Sequence, residues 1–490
     1  MDAARLMELG PALSAFLRRF DDCFCRSEQR AHLRRLVAGQ LSDLPRKSLE
    51  PIALASGCPP RCLQQFLSLH TWDHELMRDR LQQMVGREHA HQRSVGVIDE
   101  TYHAKKGDKT PGTQRQWCGT KGATDNCAVT VHLAYAAGDM RCLIDSDLFL
   151  PQSWSDDRAR CREAGIPAEV VYRPKTRIAL SLLDRAAGNG VRMEWVTFDS
   201  GYGKDPGFLH ELNRRGVRYV GEISPSFHGW LRSPAVMQKE FAGRQSYEGS
   251  GRKRVFPRLK VKNLRTCSVE NLLAYSPGLR DQPWERFHIK DTTHGPMVWE
   301  VKHSPFYFRQ DKAITFAHWL IVCQSPMTGE VKYFISNAPP GTPLEMLLSV
   351  AFERWRVEHC FRQEKSQLGL SHFEVRHYKS LIRHMIIVSA THLFLARTRE
   401  EWERERGEPR APDRGATPHG NDGGGPLPVD AREGAQALSG TGRREDPLRP
   451  EEHQRRGPVS RPGHAGTPET TRNRPQRHPL LPEPVEYLAL

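Results

Sequence analysis

Three acidic residues stand where local backbone patterns would present them for chemistry. Ser94–Glu100 is a short apolar run ending in acid, which reads as a buried strand carrying Asp99 at its C-terminal end. Met193–Asp199 repeats the pattern and ends on Asp199, with Ser200-Gly201-Tyr202-Gly203 making the turn. The third acid, Glu358, lies in the run Pro343–Leu370, where Leu344, Leu347, Leu348, Ala351, Trp355 and Phe361 keep helical spacing. Arg354, Glu358, Arg362 and Lys365 fall at i, i+4, i+8 and i+11 and share another face of that helix. Carboxylates converging at one sheet edge would suit two Mg²⁺ ions, about 4 Å apart in such sites, with Mn²⁺ as a substitute. One ion would activate a nucleophilic water or hydroxyl and the other would stabilise the leaving oxygen. Taken singly, each aspartate reads as well as a strand-end turn former or helix cap, and the charged helix face as solvated ion pairs.

The elements that must position these residues follow from the rest of the chain. Residues 1–88 read as short helices joined by tight turns: Leu6 to Leu17, Leu33 to Leu41, Leu49 to Ala55 ended by Gly57, and a further helix opened by Pro59-Pro60 with Cys62, Leu63, Phe66 and Leu67. This suits a helix-turn-helix DNA reader and a plain helical bundle equally. After the Asp99 strand, Ala128–Tyr135 and Cys142–Leu150 read as further strands joined by turns, hence antiparallel. Pro167–Ala187 reads as a helix, and Met193–Asp199, Phe208–Arg215 and Val217–Ile223 as strand, helix and parallel strand. The segment 224–325 reads as a β-rich insertion, strongly basic from Arg252 to Lys262, with strands over Phe287–Val301 and Ala313–Val322. The core resumes with Val331–Ser336 and the Glu358 helix. The fold class is therefore α/β, a mixed sheet flanked by helices. Its divisions are 1–88 helical and DNA-binding, 89–223 and 326–396 the two parts of the catalytic core, 224–325 the insertion and 397–490 a low-complexity tail.

Composition narrows the partner. The 490 residues carry a formal net charge of +14, which favours a polyanion such as nucleic acid. No stretch approaches the roughly 20 apolar residues of a membrane span, and a cytoplasmic location is expected. Eleven scattered cysteines, with Cys23/Cys25 and Cys58/Cys62 the close pairs, lack zinc spacing and read as reduced and buried. Among 22 histidines, His359 beside Glu358 alone invites a test as a ligand. Beyond Arg397 there is no Ile, Lys or Phe. Such a tail cannot bury enough apolar surface to offset its ordering entropy and reads as disordered. Arginine without lysine over that length also fits an altered reading frame.

Several of these motifs together resemble the insertion-sequence DDE transposases with the YREK signature, which is Tyr, two residues, Arg, three residues, Glu, six residues, Lys. Arg354, Glu358 and Lys365 fit that spacing; Ala351 stands where the family usually has Tyr. Val97-Ile98-Asp99-Glu100-Thr101 and Phe198-Asp199-Ser200-Gly201-Tyr202-Gly203 resemble the strands of its two aspartates, and Arg115–Cys127 also looks like this group. The resemblance implies an RNase H-like core and Mg²⁺-dependent cleavage at terminal inverted repeats of double-stranded DNA. It also implies joining of 3′-OH ends to target DNA and a homodimer on paired ends. By motif position Asp99, Asp199 and Glu358 would bind the metal, and Arg354 and Lys365 the end-DNA phosphates. Arg362 is added from its place one turn beyond Glu358, and Lys105, Lys106 and Lys121, with Lys109, from the loops near the predicted site. Competing readings are a nuclease without strand transfer and a non-catalytic DNA-binding remnant or repressor.

Overall fold

Parity along one strand sets the architecture. In β1 (Val95–Ala104), Val95 and Val97 point into one apolar core while Ile98 points into another, on the opposite face of the sheet. The computed structural model describes residues 3–237, 258–261, 263–292, 295–310, 313–314, 316–405 and 417–418. These residues belong to one compact unit, Met1–Asp422; a second, Gly423–Leu490, lies outside the described residues.

The strands continue as β2 (Gln114–Cys118), β3 (Ala123–Ala137), β4 (Met140–Phe149), β5 (Trp195–Phe198) and β6 (Tyr219–Ile223). Four more long strands follow: β7 (Glu285–Thr292), β8 (Gly295–Phe306), β9 (His318–Gln324) and β10 (Val331–Ser336). They join one 11-stranded mixed sheet in the order β7-β8-β9-β10-β6-β5-β1-β3-β2, with β4 also on β3 and Thr417–Pro418 on the edge of β7. β1, β5 and β6 run parallel, and the other pairings between these long strands are antiparallel. The long strands of 224–325 thus extend the same sheet that holds Asp99.

Helices cover both faces. On one lie α1 (Ala3–Arg18), α2 (Ser27–Leu41), α3 (Leu49–Ala55), α4 (Pro60–Ser68), α5 (His74–Glu88) and α8 (Lys175–Gly188), whose apolar faces share a core with Ile98, Val131 and Phe198. The other core, with Val97, Trp195 and Val220, takes Leu347, Leu348, Val357 and Phe361 of α13 (Leu344–Ser366). The last long helix, α14 (Tyr378–Glu405), contributes to both cores. Its fully buried Arg383 donates to the Phe66, Leu67 and Trp72 carbonyls at the end of α4, at 3.3, 3.0 and 2.9 Å. The N-terminal helices are therefore bound into the core.

Several boundaries differ from the sequence reading. The Asp99 strand, expected to end at Glu100, runs to Ala104, and the strand expected over 128–135 spans Ala123–Ala137. The helix expected from Pro167 begins at Lys175, because Pro174 at its cap is extended. The strand expected over 287–301 is the antiparallel pair β7 and β8, with Gly295 at φ 108° opposite Thr292, a conformation glycine adopts readily. The strand expected over 313–322 is divided: Ala313–Ile314 pairs with Arg309–Gln310, and a separate strand begins at His318 after exposed Phe316. Finally, 397–405 is helical, tied down by Arg397 to Glu88 at 2.6 Å and His89 to Glu400 at 3.1 Å. The remainder of the expected tail, except Thr417–Pro418, lies outside the described residues, as do 252–257 and Lys262 of the basic run.

Candidate active site

Adjacent parallel strands bring the two aspartates together. The last paired residues of β1 and β5 are Ile98 and Phe198, so Asp99 and Asp199 follow that pairing side by side; β1 itself runs on against β3 to Ala104, so Asp99 lies in mid-strand and not at its C-terminal end as expected, whereas Asp199 directly follows β5. Alternation puts Asp99 on the Val97 face, towards α13. Glu222 of β6 follows Val220 on that face as well.

Each aspartate is anchored through one oxygen. Asp99 Oδ1 accepts from the Glu100 amide at 2.7 Å. Asp199 Oδ1 accepts from the Gly201 and Tyr202 amides at 2.9 and 3.3 Å, capping the short helix α9 (Ser200–Gly203). The helix-cap role weighed for this residue is thus realised, and it fixes the carboxylate without using Oδ2. Close approach of α9 to β6 requires Gly203: a Cβ there would lie 2.0 Å from the Glu222 carbonyl oxygen.

Arg354 joins these acids to the Glu358 helix. Its Nη1 lies 2.8 Å from Glu358 Oε1 and 3.9 Å from Asp99 Oδ2, and its Nη2 lies 4.0 Å from Glu222 Oε2. Burial pushes the Asp99 carboxyl up to about 7; the Arg354 charge opposes this, while Asp199 and Glu358 add to it. Asp199 is raised too, first by burial, with Glu100 and Glu222 adding to it against Arg354. Besides Arg354, Lys332 lies 3.4 Å from Glu222 Oε1 and Lys365 attracts Asp99, against the acids Asp99, Asp199, Glu222 and Glu358. Hard carboxylate oxygens of this kind fit a divalent cation of the Mg²⁺ type. Glu358, its side chain 51% exposed, is engaged with Arg354, and no three His, Cys, Asp or Glu side chains among the described residues close on one point as a ligand group.

The expected phosphate-holding cations fall into distinct places. Lys365 is partly buried on α13; burial lowers its ammonium against the attraction of Asp99. Arg362 and Lys106 are exposed. Lys121 is exposed and paired with Asp125 in the β2–β3 turn. Lys105 is different: its Nζ donates to the Ser371 and Phe373 carbonyls at 3.2 and 2.6 Å and sits 3.4 Å from the Phe373 ring centroid. Burial pushes it down to about 7. It clamps the loop after α13 to β1, and loop position alone did not reveal that. Ala351 is buried and offers no hydroxyl. The His359 side chain lies outside the described residues. Trp195 and Trp299 are in the core, Trp299 against Phe352 and Trp355.

Two features at the site were missed. Glu222 is the penultimate residue of β6 and its one charged residue, visible in the sequence but lacking a motif. Glu100 accepts from Lys175 at 2.7 Å and from the Tyr102 hydroxyl, walling the site on the α8 side; no spacing rule links residues so far apart.

With strand ends and helix in place, comparison with known proteins is informative. A sequence profile described as DDE superfamily endonuclease matches residues 19–296, more than half of the chain. The chain belongs to this family. The match includes Asp99 and Asp199 and stops before Glu358. The chain is also 25% identical over 350 residues to a protein of Microchaete diplosiphon named probable transposase for insertion sequence element IS701, covering 71% of this chain and 77% of that one. A solved structure, described as a piggyBac transposase synaptic complex with hairpin DNA, aligns over 79% of this chain and 74% of its own, at 10% identity and a TM-score of 0.34. The profile and the Microchaete relative bear out the expected likeness to insertion-sequence DDE transposases.

Proposed function

We propose that this DDE-family chain is a DNA transposase of an insertion sequence, cutting at terminal inverted repeats and joining 3′-OH ends to target DNA. The single observation that carries the proposal is Asp99 and Asp199 side by side where the parallel pairing of β1 and β5 stops, with Arg354 between Asp99 and Glu358. The name of the Microchaete relative and the net charge of +14 support DNA as partner. Asp99, Asp199 and Glu358 would hold Mg²⁺, which when bound would activate the attacking oxygen and stabilise the leaving one. The chain's own side chains bind and orient. The backbone anchors hold each aspartate in one rotamer. Arg354 keeps the acids and the helix in register, and as a planar fork it can engage a phosphate when Glu358 turns to a metal. Lys365 and exposed Arg362 would hold backbone phosphates beside the cluster. An RNase H-like core, a homodimer on paired ends and DNA binding by the N-terminal helices belong to the same proposal.

The test incubates the full chain with Mg²⁺, the DNA flanking its gene and a target plasmid. Nicking at the repeats with joined product is expected. Asp99→Asn, Asp199→Asn and Glu358→Gln should each abolish both while retaining binding. Cleavage without joining would leave the nuclease reading, and binding without cleavage by the unaltered chain the repressor reading. Retained cleavage in any one variant removes that residue from the site.

A further inference from the structure

Three carboxylates stand in one row across the parallel strands. Ile98 of β1 pairs with Phe198 of β5, and Phe198 pairs with Gly221 of β6. The residue that follows each of these is an acid: Asp99, Asp199 and Glu222. Neighbouring strands lie about 4.8 Å apart, which sets the spacing of the row. Asp99 and Glu222 come two residues after Val97 and Val220, on the face that meets α13.

Glu222 shares a second property with the two aspartates. Each is held through one oxygen and keeps the other. Asp99 and Asp199 use Oδ1 to accept from backbone amides. Glu222 Oε1 accepts from Lys332 Nζ of β10 at 3.4 Å. Lys332 is itself fixed by Glu330 at 3.2 Å, and its Nζ lies 5.3 Å from the Trp355 ring centroid. Glu222 Oε2 faces Arg354, whose Nη2 is 4.0 Å away, while Nη1 of the same guanidinium is 3.9 Å from Asp99 Oδ2. Neither distance is that of a hydrogen bond. A cation thus stands between two acids without closing on either, a place that a divalent ion can take. Glu358 differs: its side chain is more exposed, and its Oε1 takes the 2.8 Å bond from Arg354. A partner that fixes one oxygen of a carboxylate orients the other for ligation.

We infer that Glu222 is a further metal-binding residue of this site, its Oε2 joining Asp99 and Asp199 in holding a divalent cation in the chain without DNA. This rests on the reading that the two aspartates hold metal, and adds to it a ligand from β6 that no motif marks.

The experiment titrates the full chain with Mn²⁺ alone by calorimetry at pH 8, above the raised Asp99 value of about 7. The parent binds. Glu222→Gln, which keeps the shape and removes the charge, weakens Mn²⁺ about 10-fold or more. Glu222→Asp keeps the charge but withdraws the carboxylate by one methylene, and weakens it less. Glu330→Gln removes a charge on the other side of Lys332 and leaves the affinity at the parent's, which separates ligation from overall charge. Thermal melts without metal show that each variant is folded. Parental affinity in Glu222→Gln, with loss in Asp99→Asn and Asp199→Asn, overturns this inference alone. Equal weakening in Glu330→Gln overturns it too, as does a folded parent that binds no Mn²⁺. Parental affinity in both aspartate variants would instead sink the metal reading of the catalytic proposal.

Discussion

Replacing Arg383 with methionine should loosen the N-terminal helices from the catalytic body. The guanidinium is fully buried and donates to three carbonyls, of Phe66, Leu67 and Trp72, while lying 4.3 Å from the Trp72 ring centroid. Methionine fills much of the volume but donates nothing. A buried acceptor left unpaired costs about 1–3 kcal/mol, and a desolvated cation–π contact contributes up to about 2. Against this stands the burial of the charge itself, which pushes the Arg383 group down to about 10. Relief of that desolvation offsets part of the loss, so the net cost is about 3 kcal/mol, a large share of a typical folding free energy. Urea unfolding of the full chain, followed by tryptophan fluorescence, reads the change. Limited proteolysis should show new cuts between Gly57 and Asp73. A loss below about 1 kcal/mol with the parent's proteolytic pattern would refute the reasoning, since it would mean these carbonyls find other partners at no cost.

Burial pushes His318 and His384 down to about 4, below the ordinary value near 6.5. The unfolded chain therefore binds protons first, and stability falls as pH drops from 6.5 towards 4, by about 1.4 kcal/mol per histidine at pH 5.5. The raised Asp99 carboxyl titrates in the opposite sense, so the test compares the parent with His318→Asn and His384→Asn between pH 7 and pH 5: a fall in melting temperature that is no smaller in either variant would contradict this. Gly203→Ala places a methyl 2.0 Å from the Glu222 carbonyl. The clash is with backbone, so a loss of about 2 kcal/mol or more in melts is expected, together with cleavage reduced through displacement of Asp199; an unperturbed melt would refute it. Lys105→Met should lower the melting temperature and leave the salt slope of DNA binding unchanged, whereas Lys106→Ala should reduce that slope by about 1. The reverse pattern would restore Lys105 to the DNA surface.

How much was legible can be argued residue by residue. Asp99 and Asp199 were legible only in combination, since each alone reads as well as a turn former or helix cap, and Glu358 because i, i+4 spacing places Arg354 beside it. Glu222 and the Glu100–Lys175 contact were not, since each depends on strands and helices meeting from distant parts of the chain. Lys105 looked like its neighbours because a loop cation shows its partners only after Ser371 and Phe373 fold over it. The DNA-reading and bundle interpretations of the N-terminal helices were indistinguishable in sequence, because both need the same apolar spacing.

By itself, the sequence determined the local elements: which runs are strands, which of them carry an acid, and which helix face carries charge. These follow from periodicity and from short-range backbone preferences, which need no distant partner. Tertiary structure decided the rest. Strand order set the two aspartates side by side, and parity turned Asp99 and Glu222 towards α13. Long-range burial made Lys105 and Arg383 internal clamps, because the energy of a buried charge depends on what surrounds it, and that is a property of the whole fold.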